Sequence, residues 1–213
     1  MKFKLLVTVF LITSVNVSWA QFPEIKTELD KRVKAFLEEN ANRWRDLNVP
    51  LSDGKLLYDI IVENNYKSAV EIGTSTGHSG IWIAWALSKT GGKLITFEID
   101  RNRHLQAVEN FKKAGLAEFI DARLGDAHEL VPKLNGKYDF VFSDADKDWY
   151  KNYFVAMDPK IVTGGCFTAH NVAQRTSDIR EFLSHIESMK NYKTTVNNAS
   201  GSGLSISYKT ADK

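Results

Sequence analysis

The stretch Val70-Glu71-Ile72-Gly73-Thr74-Ser75-Thr76-Gly77-His78-Ser79-Gly80 governs how this chain reads. A short apolar run ends in a glycine-rich turn, and Ile81, Trp82, Ala84, Trp85 and Leu87 follow at helical spacing. The pattern predicts a strand, a tight turn and a helix. Glycines let the backbone come close to a ligand, and the N–H groups at a helix start favour a carboxylate or phosphate. A second apolar run, Lys93-Leu94-Ile95-Thr96-Phe97, ends in Glu98, 25 residues after Gly73. An acid at the tip of the second strand can accept hydrogen bonds from a ribose diol. Together the turn and the acid point to an adenosine-containing cofactor.

Outward from this unit, strands and helices alternate. Strands are predicted at 68–72, 93–98, 118–124, 138–143 and 161–169, and helices at 79–88, 101–114, 126–134, 149–157 and 176–189. Upstream, residues 23–47 carry apolar positions at helical spacing (Ile25, Leu29, Val33, Phe36, Leu37), and 55–64 form another helix. Two further strands, 192–197 and 204–208, flank the turn-rich Asn198-Ala199-Ser200-Gly201-Ser202-Gly203 and form a hairpin. Alternation of this kind implies an α/β fold with helices on both faces. The expected architecture is a Rossmann-like seven-stranded, mostly parallel sheet with one antiparallel edge strand.

The 213 residues suit one domain. Lys2 and Lys4 precede an apolar run over 5–17, and Ser18-Trp19-Ala20 places small residues where a signal peptidase reads. Residues 1–20 are therefore expected to be a signal peptide cleaved before Gln21, with export to the periplasm or outside the cell. The remainder, 21–213, is one domain: N-terminal helices over 21–66 and a Rossmann-like core over 67–213. Removing the leader takes two of the 28 basic residues and none of the 26 acids, leaving no formal net charge. That balance argues against nucleic acid as a partner, and no later segment is apolar enough to span a membrane. A homodimer is compatible with the fold class. The one cysteine, Cys166, lies in an apolar run and reads as a buried thiol.

Two enzyme classes share a glycine turn after strand one and an acid after strand two: nicotinamide-dependent dehydrogenases and S-adenosylmethionine-dependent methyltransferases. Gly73-x-x-x-Gly77-x-x-Gly80 lacks the G-x-G-x-x-G spacing that seats a pyrophosphate. No tyrosine has a lysine four residues later, as short-chain dehydrogenases require. Glu71, two residues before the first glycine, would repel a pyrophosphate, whereas methyltransferases commonly carry an acid there. Its structural alternative is a strand-end charge that caps backbone N–H groups.

Further along, Tyr138-Asp139-Phe140-Val141-Phe142-Ser143-Asp144-Ala145-Asp146-Lys147 crowds acids and a lysine at the carboxyl end of a strand, where open α/β sheets bind ligands. With Glu71–Ser79 and Phe97-Glu98-Ile99-Asp100, this segment resembles the metal-dependent O-methyltransferases that include the catechol and caffeoyl-coenzyme A enzymes. The resemblance runs from about Pro50 to Tyr208. It implies methyl transfer from S-adenosylmethionine to a hydroxyl of a small, catechol-like acceptor. It implies cofactor contacts at Glu71, Gly73, Thr74, Ser75, Gly77, Ser79, Glu98, Ile99, Asp126, Ala127 and Asp144, with Ser79 meeting the carboxylate and Glu98 the ribose. It makes Lys147 the general base and Asp144 a metal ligand, a divalent ion lowering the acceptor's hydroxyl pKa.

The chain departs from the family at the second metal motif, Asp-Asn, which here reads His170-Asn171. Imidazole suits transition metals better than magnesium or calcium. In one reading Asp144, His170 and Asn171 hold a divalent transition ion. In the other the metal is lost and His170 is an acid/base or hydrogen-bonding group. Divalent-metal dependence is the expectation. Two other functions stay open: methylation of a hydroxylated tRNA base, and a cofactor-binding module that has lost turnover. His78 either lines the cofactor pocket or faces solvent, and Trp149 and Tyr150 either wall the acceptor site or join the core.

Overall fold

The computed structural model describes residues 22–212. The expected signal peptide thus lies outside the described residues. Two helices, α1 (Glu28–Glu39) and α2 (Leu51–Glu63), precede β1 (Ser68–Ile72), α3 (His78–Thr90), β2 (Lys93–Glu98), α4 (Arg101–Ala114), β3 (Ile120–Leu124), α5 (Ala127–Leu130), β4 (Tyr138–Ser143), α6 (Tyr150–Met157), β5 (Ile161–His170), α7 (Ser177–Glu187), β6 (Tyr192–Asn197) and β7 (Leu204–Lys209). The seven strands form one sheet in the order β3-β2-β1-β4-β5-β7-β6. β1 to β5 pair in parallel, and β7 runs antiparallel to both β5 and β6. The hairpin closes that side of the sheet, with β6 outermost.

Neighbouring residues of the central strands belong to opposite faces, as the two-residue repeat of a strand requires. Ala69, Phe140, Phe142 and Cys166 pack with α1 to α4. Val70, Val141 and Phe167 pack with α5, α6 and α7. α3 is apolar on every side and buried from His78 to Leu87, because α2 covers the face that the sheet does not. Its Trp82 and Trp85 are fully buried, each contributing roughly 1.5–3 kcal/mol as large apolar side chains do. Capping follows the local sequence. Thr27 and Asp30 form a capping box on α1, the Asp100 side chain accepts from the Arg103 N–H at the start of α4, and Gly115 ends α4 in the left-handed region.

α1 covers 28–39 of the 23–47 stretch, and α5 and β3 are also shorter than their patterns. α5 is a single turn, since Pro132 has no N–H for the next helical bond. Residues 117–119 are a 3-10 turn tied to Leu116, so β3 begins at Ile120.

The strand order reverses between β1 and β4, whose neighbours lie on opposite sides. This is the switch point at which open α/β sheets form a crevice beyond the carboxyl ends of their strands.

Candidate active site

A cavity of about 680 Å³ occupies that crevice, within the size range of small-ligand sites. The exits of β1, β2 and β4 are laced together to make its floor. Gly73 and Thr74 donate from their N–H groups to the Phe97 carbonyl at 3.1 and 3.0 Å, and the Asp144 N–H donates to the Ile72 carbonyl at 2.8 Å. Gly73 has φ +98°, and a Cβ there would lie 2.9 Å from the Ala145 nitrogen. Only glycine lets the two strand exits approach this closely.

Glu98, at the tip of β2, stands in the wall. Its Oε2 accepts from the Ser75 N–H at 2.7 Å and its Oε1 from the Asp100 N–H at 2.9 Å. Each carboxylate oxygen keeps a second lone pair for a ligand hydroxyl. Of the residues expected to hold cofactor, Gly73, Ser75, Glu98, Ile99, Asp126, Ala127 and Asp144 line the cavity. Ile99 and Leu47, both largely exposed, offer it apolar surface.

Glu71, Thr74, Gly77 and Ser79 are not in the wall. The segment joining α1 to α2 lies over the turn. Ser75 Oγ donates to the Asp46 carbonyl at 2.6 Å, Asn48 Nδ2 donates to Thr76 Oγ1 at 2.9 Å, and a bidentate ion pair joins Arg103 to Asp46 at 2.9 and 3.0 Å. Glu71 is fully buried, and Thr96 donates to its Oε2 at 2.6 Å, while its Oε1 has no partner. Burial is the main cause that pushes its carboxyl up to about 8, against the opposing pull of the Ser79 and Thr96 hydroxyls. The Thr74 hydroxyl extends this chain, 2.5 Å from Thr96 Oγ1.

His78 neither lines the pocket nor faces solvent. Its Nδ1 lies 2.9 Å from the Val49 carbonyl, Trp82 Nε1 donates to its Nε2 at 3.3 Å, and Trp44 stacks on its ring at 4.7 Å. Burial lowers its pKa to about 4, so it is the neutral imidazole these two contacts need. Tyr150 is core, its hydroxyl donating to the His170 carbonyl at 3.0 Å, and Trp149 stacks on His128.

Also in the wall, Lys147 Nζ donates to Asp144 Oδ1 at 2.8 Å and to the Ala145 carbonyl at 2.9 Å. His170, at the end of β5, lies between two carboxylates. Its Nε2 is 2.8 Å from Asp53 Oδ2, and its Nδ1 is 3.3 Å from Asp144 Oδ2, close enough for an ion pair but poorly aligned for a hydrogen bond. Burial opposes charge on this ring, but the two acids outweigh it and raise its pKa to about 9. Ser200 Oγ donates to Asp53 Oδ2 at 2.8 Å. The sequence placed Asp53 only in the loop that approaches the cofactor in the family it resembles, and did not single out Ser200, or Asn48, Arg103, His128 and Tyr153 in the wall.

The structure brings the expected metal trio of Asp144, His170 and Asn171 together. Among the described residues no three His, Cys, Asp or Glu side chains converge on a point where an ion could sit. Nε2 of His170 faces Asp53, and its Nδ1 lies near Asp144 without a hydrogen-bond partner. All three residues do meet at the cavity.

Residues 23–190 match the family model described as O-methyltransferase. The chain therefore belongs to the O-methyltransferase family. It is 38% identical over 112 residues to the catechol O-methyltransferase of Niastella koreensis, covering 51% of this chain and 50% of that protein. It is 34% identical over 128 residues to caffeoyl-CoA O-methyltransferase 2 of Petunia hybrida, covering 57% of this chain and 52% of that protein. The chain thus spans about half the length of these curated relatives. Its fold is that of the O-methyltransferase from Bacillus cereus in complex with SAH, with a TM-score of 0.74 at 24% identity over 88% of this chain and 92% of that one. The O-methyltransferase TomG from Streptomyces achromogenes, solved with SAM, gives a TM-score of 0.72 at 23% identity over 88% and 92%.

Proposed function

We propose that this chain transfers the methyl group of S-adenosylmethionine to a hydroxyl of a small hydroxylated, catechol-like acceptor. One observation carries the reading: a single cavity is lined by Gly73, Ser75, the Glu98 carboxylate, Asp126 and Ala127, and also by the Asp144–Lys147 pair. The first group suits an amino-acid tail, a ribose and an adenine; the second suits a hydroxyl about to lose its proton. The complexes named for the Bacillus and Streptomyces enzymes support the choice of cofactor.

S-adenosylmethionine supplies a methyl carbon made electrophilic by its sulfonium. Glu98 accepts hydrogen bonds from the ribose diol while held in place by the Ser75 and Asp100 N–H groups. Ile99 and Ala127 offer apolar contact to the base. Lys147, together with its partner Asp144, receives the proton of the acceptor hydroxyl as the oxygen attacks. Fixing donor and acceptor within one cavity supplies much of the rate.

Isothermal calorimetry with S-adenosylhomocysteine, followed by methyl transfer to a panel of hydroxylated aromatics, tests the reading. Saturable binding plus transfer supports it. Binding without transfer to any acceptor favours a module that has lost turnover, and no binding at all rejects both. The leader-like residues 2–20 support export of the enzyme, which the N-terminal sequence of the mature protein checks.

A further inference from the structure

The loop that carries Lys147 is tied to the Asp126-Ala127 segment through one side chain. Among the described residues, every hydrogen bond of the Lys147 amine goes to Asp144 or Ala145 of its own loop. The amine therefore travels with that loop, and whatever fixes the loop fixes the amine. At Asp144 the loop is held by its N–H, 2.8 Å from the Ile72 carbonyl, and by Oδ2, 3.3 Å from Nδ1 of His170. Its next anchor is the carboxylate of Asp146, the residue before Lys147.

His128 grips that carboxylate. Its Nε2 lies 2.6 Å from Asp146 Oδ2, while the Tyr153 hydroxyl donates to the same group at 3.3 and 3.4 Å. Trp149 stacks on the imidazole at 3.7 Å, with the planes 16° apart, and so sets the plane of the ring. At its other end His128 is fixed through its backbone, whose N–H donates to Asp126 Oδ1 at 2.9 Å at the start of α5. Asp126, His128, Asp146 and Lys147 all line the one cavity. The His128 ring and the Asp146 carboxylate are 32% and 45% exposed, and a pair this open adds little to overall stability. What it does fix is local: the place of the loop relative to α5.

We propose that His128 is a positioning residue: bonded to Asp146, it holds the loop that places Lys147 for the acceptor hydroxyl, and it couples that placement to occupancy of the Asp126-Ala127 segment by the adenosine cofactor. A ligand that settles Asp126 and Ala127 also settles His128, and so narrows the freedom of the loop. The proposal rests on the methyl-transfer reading above and deepens it.

The test follows backbone hydrogen exchange by mass spectrometry in the full-length protein, wild type and H128A, with and without S-adenosylhomocysteine. In H128A the peptide over 144–150 should exchange about fivefold faster, as loss of one hydrogen bond warrants, while peptides from α3 and β5 keep their wild-type rates. S-adenosylhomocysteine should slow the 144–150 peptide in the wild type, and by a smaller factor in H128A. In methyl transfer at saturating donor, kcat of H128A should fall about fivefold with the acceptor KM within about twofold. H128Q, whose amide can still donate to Asp146, should recover most of that loss. A folded H128A with wild-type exchange over 144–150 would overturn the proposal, as would an unchanged kcat or an equal loss in H128Q. If H128A fails to fold, H128F, which keeps a ring on Trp149 and lacks the nitrogen, is read in its place with the same expectations. Absence of transfer by the wild type to every acceptor would count against the methyl-transfer reading only, because the exchange measurement does not depend on turnover and still decides whether His128 holds the loop.

Discussion

Asp53 and His170 stand 117 positions apart in the chain and face each other at 2.8 Å, both almost completely buried. The contact joins the first turn of α2 to the end of β5. It ties the N-terminal helices to the sheet at the point where the acceptor is proposed to bind. Removing one partner of a buried pair leaves the other without compensation. D53A is expected to lower stability by about 3–5 kcal/mol. In a denaturant-melt cycle with H170N, the double variant should lose less than the sum of the two single changes, with a coupling of about 0.5–3 kcal/mol. Additive losses would show that the two side chains do not interact.

Glu98 gives a second expectation, on affinity. E98A removes a charged acceptor from the wall and frees the Ser75 N–H. Charged hydrogen bonds contribute about 1.5–3 kcal/mol, so the dissociation constant for S-adenosylhomocysteine should rise about tenfold or more. E98Q keeps one acceptor oxygen and should fall between E98A and the wild type. Unchanged affinity in E98A would remove Glu98 from the proposed ribose contact.

Asp30 makes stability depend on acid. Burial opposes its charge, but hydrogen bonds from Lys89, Trp85, Lys26 and Thr27 outweigh it and hold the carboxyl well below the usual carboxylate range. A carboxyl depressed by folding stabilises the native state above its unfolded pKa, about 3.9. That contribution fades as pH falls from there toward the lower folded value. Urea midpoints measured from pH 7 down to pH 3 should therefore fall for the wild type and fall less steeply for D30N. Parallel curves for the two proteins would contradict this.

Gly54 reports on packing between α2 and α3. A Cβ at this position would sit 2.3 Å from Cδ1 of Trp82, whose ring is fully buried. G54A, although favourable for an isolated helix, should lower stability by about 1–3 kcal/mol through overpacking. A thermal melt at or above the wild-type midpoint would mean that the Trp82 ring moves aside freely.

Much of the fold was legible because the local signals agree. β1, β2, β4 and β6 lie where their apolar runs and bounding turns place them. Glu98 and Asp144 were legible as site residues because both end strands of a parallel sheet, which delivers them to one rim. Asp53 was harder to read. In the sequence it belongs to a helix-start loop, and its partners come from β5 and the β6–β7 turn, contacts that no local pattern encodes. His78 was obscured likewise, since Trp44 and Val49, which bury it, reach it only when the α1–α2 segment folds across the turn. The identity of His170 was plain, but what it does depends on two acids supplied by other elements.

The ion pair between Asp46 and Arg103 is solvent-accessible, and it fastens the segment covering the Ser75 turn. Exposed pairs of this kind are weak and are screened by salt. The segment's hold on the turn should therefore slacken as ionic strength rises, a grip set by the surrounding medium and not by the core.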